Sequence, residues 1–212
     1  IMLEIVLILF LLEYQVESVV QNASCPEIAP MEIDLKELDG KWYLTAVASD
    51  MNIDGDCAMI MFSHKTNNTT DISIHWIANN TSSFYNGSVS LAVDAKSNND
   101  VLLVTYTDQK TETYSILGIN YEHFAVIFAC YDDPVGNSST YELWKLTRSP
   151  HLKKSDAVKL DQALITYNLQ NTSFMFFNNT EDSCVISKAY SPNSASLLIS
   201  SAAAMALFRR LY

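Results

Sequence analysis

Gly40-Lys41-Trp42-Tyr43 and Trp144-Lys145-Leu146-Thr147-Arg148 decide how this chain is read. The first motif opens a strand over Trp42–Ser49, and the second closes a strand over Tyr141–Thr147, just before a change of period. Between them lie Cys57–His64, Asp71–Ile77, Phe84–Val93, Val101–Thr107, Glu112–Ile119 and His123–Tyr131, each short and rich in β-branched and aromatic residues. Asn/Asp/Gly-rich stretches such as Asn52–Asp56, Asn67–Thr70, Asn98–Asp100 and Asp132–Asn137 separate them. These residues favour turns because their short polar side chains bond the local backbone or, for glycine, because positive φ costs little. Eight strands at this spacing predict an all-β fold, an antiparallel up-and-down barrel whose closure leaves no exposed edge. A barrel of that size has an interior about wide enough for one small ligand.

Lys153–Asn168 changes to a helical period, with Ser155 as N-cap, Asp156 in the first turn, and Leu160, Leu164 and Tyr167 on one stripe. One amphipathic helix packed outside the barrel is expected, followed by a short strand over Ser173–Phe177.

The two motifs resemble those of the lipocalin (calycin) family, over roughly residues 25–187. Within it the chain is similar to apolipoprotein D, the insect bilin-binding lipocalins and Lazarillo. The resemblance implies that Trp42 lies across the closed end of the barrel and that Arg148 packs on its indole. A guanidinium is drawn to the ring quadrupole, more so away from water. The turn Gly118-Ile119-Asn120-Tyr121 departs from the family's T-D-Y, although Asn can still bond the turn backbone.

With Trp42 and Arg148 at the closed end, strand parity places Leu44, Trp144 and Leu146 inward. Likeness to apolipoprotein D implies Phe62 and Tyr114 as cavity-lining residues, and Ile60 and Ile116 share their parity. The expected binding set is therefore Leu44, Ile60, Phe62, Tyr114, Ile116 and Trp144. Its aromatic and aliphatic wall suits a retinoid, fatty acid, sterol or tetrapyrrole, held non-covalently and with no other cofactor. The alternative is that these side chains simply fill a core.

Of 212 residues, 49% are apolar, enough for one domain with a sizeable core. The net charge of −11, with no Lys/Arg cluster, argues against nucleic acid. The apolar run Ile5–Leu12 is far short of the roughly 20 residues that span a bilayer. Residues 1–18 read as a signal peptide, with Val16 and Ser18 suiting cleavage, although Glu4 stands where positive charge is usual. The lipocalin domain is expected over residues 19–187.

Sequons at Asn22, Asn67, Asn68, Asn79, Asn80, Asn86, Asn137, Asn171 and Asn178 suit an extracellular surface. Cys25, Cys57, Cys130 and Cys184 are an even set, so disulfides are the default in a secreted chain. Their spacing leaves three connectivities open; the family resemblance implies Cys25–Cys130 and Cys57–Cys184. No Cys/His cluster suggests zinc, and His64, His75, His123 and His151 are scattered, so no metal or haem ligand set is expected.

No serine has nucleophile-elbow context, Asp132-Asp133 reads as a turn, and Cys57 is expected to be disulfide-bonded, so no enzyme is expected. Residues 188–212 combine small residues, a spacer and an apolar tail, the composition of a GPI-attachment signal, with Ser187 or Ser191 as acceptor. A disordered or packed extension is the other reading of this tail. The expected function is an extracellular carrier of a small hydrophobic molecule. The alternative is a GPI-anchored, glycosylated adhesion or signalling protein on the same scaffold, its protein partner unknown.

Overall fold

The computed structural model describes residues 19–21, 23–49, 51, 53, 55–65, 69–78, 81–94, 99–180 and 182–184. The expected signal peptide over 1–18, the tail over 188–212 with Ser187, and the sequons at Asn22, Asn67, Asn68, Asn79 and Asn80 lie outside the described residues.

The strands are β1 (Val19–Gln21), β2 (Gly40–Ala48), β3 (Cys57–His64), β4 (Thr69–Ala78), β5 (Thr81–Val93), β6 (Asp100–Tyr106), β7 (Thr111–Asn120), β8 (Phe124–Asp132), β9 (Ser139–Thr147) and β10 (Met175–Phe176). Strands β2 to β9 pair with their sequence neighbours, all antiparallel, and β9 pairs back onto β2. That last pairing, from Tyr43 opposite Thr147 to Ala48 opposite Leu143, closes the barrel.

Two short strands extend it. Val19–Gln21 pairs with Ser139–Tyr141 on β9, just beyond the stretch that β2 occupies. A register shift between Leu44 and Ala46 turns β2 away from β3, and β10 pairs beside Ala46 and Val47. Strand β1 has no counterpart in the sequence reading. A three-residue segment carries too little periodicity to be recognised, and its place is set by β9 rather than by itself.

Helix α1 (Lys154–Thr166) lies outside, on β7 and β8. Its Leu160 and Leu164 join Leu117, Phe124, Val126, Phe128 and Leu143 in a second apolar layer. A Cβ on Gly118 would come within 3.3 Å of Ala163 Cβ, so the glycine lets the helix approach β7 closely. Ser155 is not the N-cap. The chain turns at Lys153, whose carbonyl accepts from the amides of Asp156 and Ala157, and no side chain caps the end. Ser155 sits inside the first turn, so its hydroxyl cannot reach a cap position. The packing of Leu160 and Leu164, rather than cap chemistry, positions this helix.

The disulfides are Cys25–Cys130 and Cys57–Cys184, with Cα separations of 5.8 and 5.3 Å. They tie the segments before and after the barrel onto β8 and β3. Closing loops of 105 and 127 residues, each contributes on the order of 4–5 kcal/mol in the chain-entropy account. Asn179, buried beside Cys184, accepts from the Ala58 amide and donates to the Leu44 carbonyl, docking the C-terminal segment on both β2 and β3.

At the closed end, Trp42 is fully buried and its indole N–H donates to the Leu38 carbonyl at 2.8 Å. The Arg148 guanidinium carbon sits 3.9 Å from the indole centroid. Its N–H groups donate to the carbonyls of Tyr121, Lys41 and Glu37, joining the β7–β8 turn, β2 and the segment before β2. Gly40 has φ +95, and a Cβ there would stand 3.3 Å from Arg148 Nη1. The glycine of the motif therefore serves both the backbone and the arginine. Ile33, Leu35 and Leu38, from a segment that reads as merely acidic, are buried beneath the barrel and complete the seal. Asn120 makes the expected turn bond, its side-chain oxygen accepting from the Glu122 amide.

Arg148→Ala should lower stability by roughly 3 kcal/mol, from the lost cation–π contact and carbonyl bonds. Arg148→Lys should recover less than half, since a point-charge ammonium cannot serve three divergent carbonyls. Urea-unfolding midpoints of the three proteins check this; equal midpoints for wild type and Arg148→Ala would contradict it.

Candidate functional site

Because side chains alternate across each strand, one face of β2–β9 converges on the barrel axis. The result is one continuous apolar cluster that includes Trp42, Leu44, Ile60, Phe62, Tyr114, Ile116, Trp144 and Leu146. Within it lies a narrow cavity of about 30 Å³.

Four residues of the expected set line this cavity: Ile60, Phe62, Tyr114 and Trp144. Leu44 and Ile116 are buried in the same core but outside the lining. Both sit at register shifts, Leu44 beside the one in β2 and Ile116 beside the one in β7, where a bulge re-aims the neighbouring side chains. Six further residues complete the wall: Ile72 and Ile74 from β4, Leu102, Val104 and Tyr106 from β6, and Ile127 from β8. Their signal was present in the sequence as period-two alternation on strands that carry no motif to set the parity.

The polar groups gather at the end away from Trp42. Glu112 opens β7 and Glu142 lies early in β9, at the inward parity of Tyr114 and Trp144, and each is only 5% exposed. The Tyr114 hydroxyl donates to Glu112 Oε2 through a short bond and lies 3.3 Å from Glu142 Oε2. The Trp144 indole N–H donates to Glu142 Oε2 at 3.4 Å. Lys110 pairs with the other oxygen of Glu112 from the more exposed rim. Tyr106 and Tyr114 have their hydroxyls 3.2 Å apart, so Tyr106 donates to the oxygen whose proton Glu112 receives.

Burial is the main cause that raises both phenol pKa values, and the carboxylates add to it; Tyr114 is pushed well above its ordinary value. Both phenols therefore stay neutral donors throughout the physiological range. Tyr85 stacks on Tyr106 at 4.6 Å, and the Tyr114 ring meets Trp144 edge-on at 6.5 Å, which fixes the orientation of the lining aromatics.

Glu112 and Glu142 are the residues that sequence reading overlooked. Each is a charge in a parity slot otherwise held by apolar residues, which is the signal that could have found them.

Among the described residues no group of three His, Cys, Asp or Glu could hold a metal, and all four cysteines are in disulfides. His75 is half-buried on β4, with its pKa lowered by burial, and its ring bonds the Ser73 hydroxyl. Asn137, Asn171 and Asn178 are exposed, whereas Asn86 is half-buried with its side-chain oxygen bonded to Ser73.

Tyr114→Phe removes the phenol donor from a buried carboxylate and the acceptor from Tyr106. The expected cost is about 1–3 kcal/mol in urea unfolding. An unchanged midpoint would mean that the phenol's bonds contribute nothing to the fold.

No family model matches the sequence, and no curated protein matches it. Solved structures do. Insecticyanin from the tobacco hornworm Manduca sexta aligns with TM-score 0.69 at 18% identity, covering 81% of this chain and 94% of its own. Lobster apocrustacyanin A1 aligns with TM-score 0.60 at 18% identity, covering 76% and 94%. The siderocalin Ex-FABP aligns with TM-score 0.51 at 17% identity, covering 68% and 95%. At these identities the likeness is one of backbone architecture, and it agrees with the closed barrel and the outer helix: the chain has the lipocalin fold.

Proposed function

We propose that this protein is an extracellular carrier that holds one small hydrophobic molecule inside its barrel. The observation that carries this reading is the lining of the barrel interior: a narrow cavity walled by aliphatic and aromatic side chains from strands β3, β4, β6, β7, β8 and β9. Pockets that hold small molecules run from roughly 300 to 1,000 Å³ and are mostly apolar with a few converging polar groups. The enclosed space here, about 30 Å³, is far below that range, so a ligand enters only as the lining side chains move apart, which favours a compact ligand over a tetrapyrrole.

Two supports are independent of the cavity. The fold is shared with insecticyanin, the crustacyanins and Ex-FABP, the last described as functioning through dual ligand specificities. Two disulfides and three exposed sequons suit an oxidising, glycosylating compartment. The carrier reading assigns no chemistry to the site. Cys57, the residue in a strand position where a thiol enzyme would need a free nucleophile, is bonded to Cys184. Attachment to the outer cell surface through residues 188–212 is compatible with the carrier role, since the fold does not fix how the barrel is displayed.

Titrating the disulfide-intact protein with retinol, a sterol, a long-chain alcohol and a bilin should give saturable quenching of tryptophan fluorescence at one ligand per chain for at least one of them. Trp144→Phe should reduce that signal, because Trp144 lines the cavity, whereas Trp42 lies at the sealed base and Trp76 packs against the same core from β4. Absence of binding by every compound would contradict the carrier reading.

A further inference from the structure

The last strand of the sheet holds the most exposed aromatic side chain among the described residues, Phe176, close to a glycosylation sequon. The segment from Met175 to Asn179 runs along β2. Met175 and Phe176 pair with Val47 and Ala46, the Phe177 amide donates to the Thr45 carbonyl, and the Asn179 side chain donates to the Leu44 carbonyl. Phe177 and Asn179 are buried, whereas Phe176 is 71% exposed and Asn178 is exposed. Phe176 and Asn178 therefore share the outer side of an extended segment, with Cα atoms about 7 Å apart.

Asn178-Asn179-Thr180 is the sequon, and Phe176 stands two positions before its asparagine. The other exposed sequon asparagines lack such a neighbour: Leu169, before Asn171, is buried, and Val135, before Asn137, is aliphatic. Phe84 stands likewise before Asn86, but that asparagine is half-buried and bonded to Ser73. Strand β10 ends the sheet order, and Met175 and Phe176 give it an exposed apolar edge. Edges of this kind pair with other chains unless something covers them.

We propose that Asn178 is N-glycosylated and that the first N-acetylglucosamine of the glycan lies on the Phe176 ring, covering the β10 edge. In the transfer, the Asn178 side-chain nitrogen attacks C1 of that sugar on an oligosaccharide linked to a lipid diphosphate. The N–C1 bond forms and the C1–O bond to phosphate breaks. The lipid diphosphate leaves with the bonding electrons, and the amide gives up one proton to a base of the transferase. Transfer acts on the chain before it folds, so the bonds between Thr180 and Ser183 in the finished protein do not oppose it. Once the segment docks on β2, strand parity sets the sugar over the ring. One face of the pyranose presents polarised C–H groups, which the negative face of an aromatic ring attracts, and both surfaces leave water. Phe174 meets the Phe176 ring at 6.2 Å and lies under the Lys145 ammonium, which steadies the platform. The inference rests on the extracellular part of the proposed function and is independent of the cavity.

The test makes the full chain in the secretory pathway of cultured insect cells, once led by its own residues 1–18 and once by a leader of known function. Peptide mass mapping of the secreted, disulfide-intact protein should find a glycan on Asn178. In urea unfolding, Asn178→Gln should lower the folding constant about fivefold, but by less than about twofold in the Phe176→Ala background. Trimming the glycan enzymatically to its first sugar should keep the stabilisation, which a merely bulky glycan would lose. An unmodified Asn178 in the secreted chain would overturn the inference, as would an equal loss of stability in both backgrounds. Secretion only behind the substituted leader would count against the extracellular reading, while occupancy of Asn178 in that same protein still decides the inference.

Discussion

One guanidinium holds the base of this molecule together. Arg148 lies on the face of a fully buried indole and gives its N–H groups to carbonyls from three separate segments. None of those carbonyls belongs to a regular ladder partner of Arg148, so the residue acts as a tie between chain segments that strand pairing alone would leave apart. A lysine or an apolar side chain could fill part of the space but could not serve the fork of acceptors. With the base fixed, the closing pairing of β2 with β9 has a defined start, and every inward side chain further along has a defined depth.

Depth is what turns a barrel into a binding site. Near the base, Leu44 and Leu146 meet and fill the interior solidly. Further along, the wall remains apolar but leaves room, and towards the other end it becomes a cluster of phenols, an indole N–H and carboxylates. The gradient from sealed to open to polar follows from which residues occupy inward parity on β2, β7 and β9. The two disulfides and the docked Asn179 add rigidity from outside without entering the cavity.

Most of the fold was legible because closure, parity and turn chemistry are local properties repeated along the chain. The barrel strands and the outer helix follow from spacing and residue type; the Asn120 turn was located by family likeness, and its bond by residue type. The pairing of the cysteines did not: spacing left three connectivities, and only family likeness pointed to the one observed. What escaped depended on partners distant in sequence. Val19–Gln21 is a strand only because β9 offers it an edge. Ile33, Leu35 and Leu38 look like part of an acidic lead-in until the barrel is placed above them.

The site was half legible for a related reason. Trp144 follows from the parity of its own motif, and Phe62 and Tyr114 came from likeness to apolipoprotein D. Ile72, Ile74, Leu102, Val104 and Tyr106 sit on strands whose parity no motif sets. Glu112 and Glu142 were passed over because charge is ordinarily read as surface, and only the closed barrel shows both to be buried.

The central claim is that the space above the Trp42–Arg148 base holds a ligand and is not simply imperfect packing. Native mass spectrometry of the protein isolated from its own tissue tests this most directly. The account predicts one apolar small molecule per chain, lost on denaturation. A chain that is bare as isolated and stays bare after incubation with a lipid extract of that tissue would contradict it.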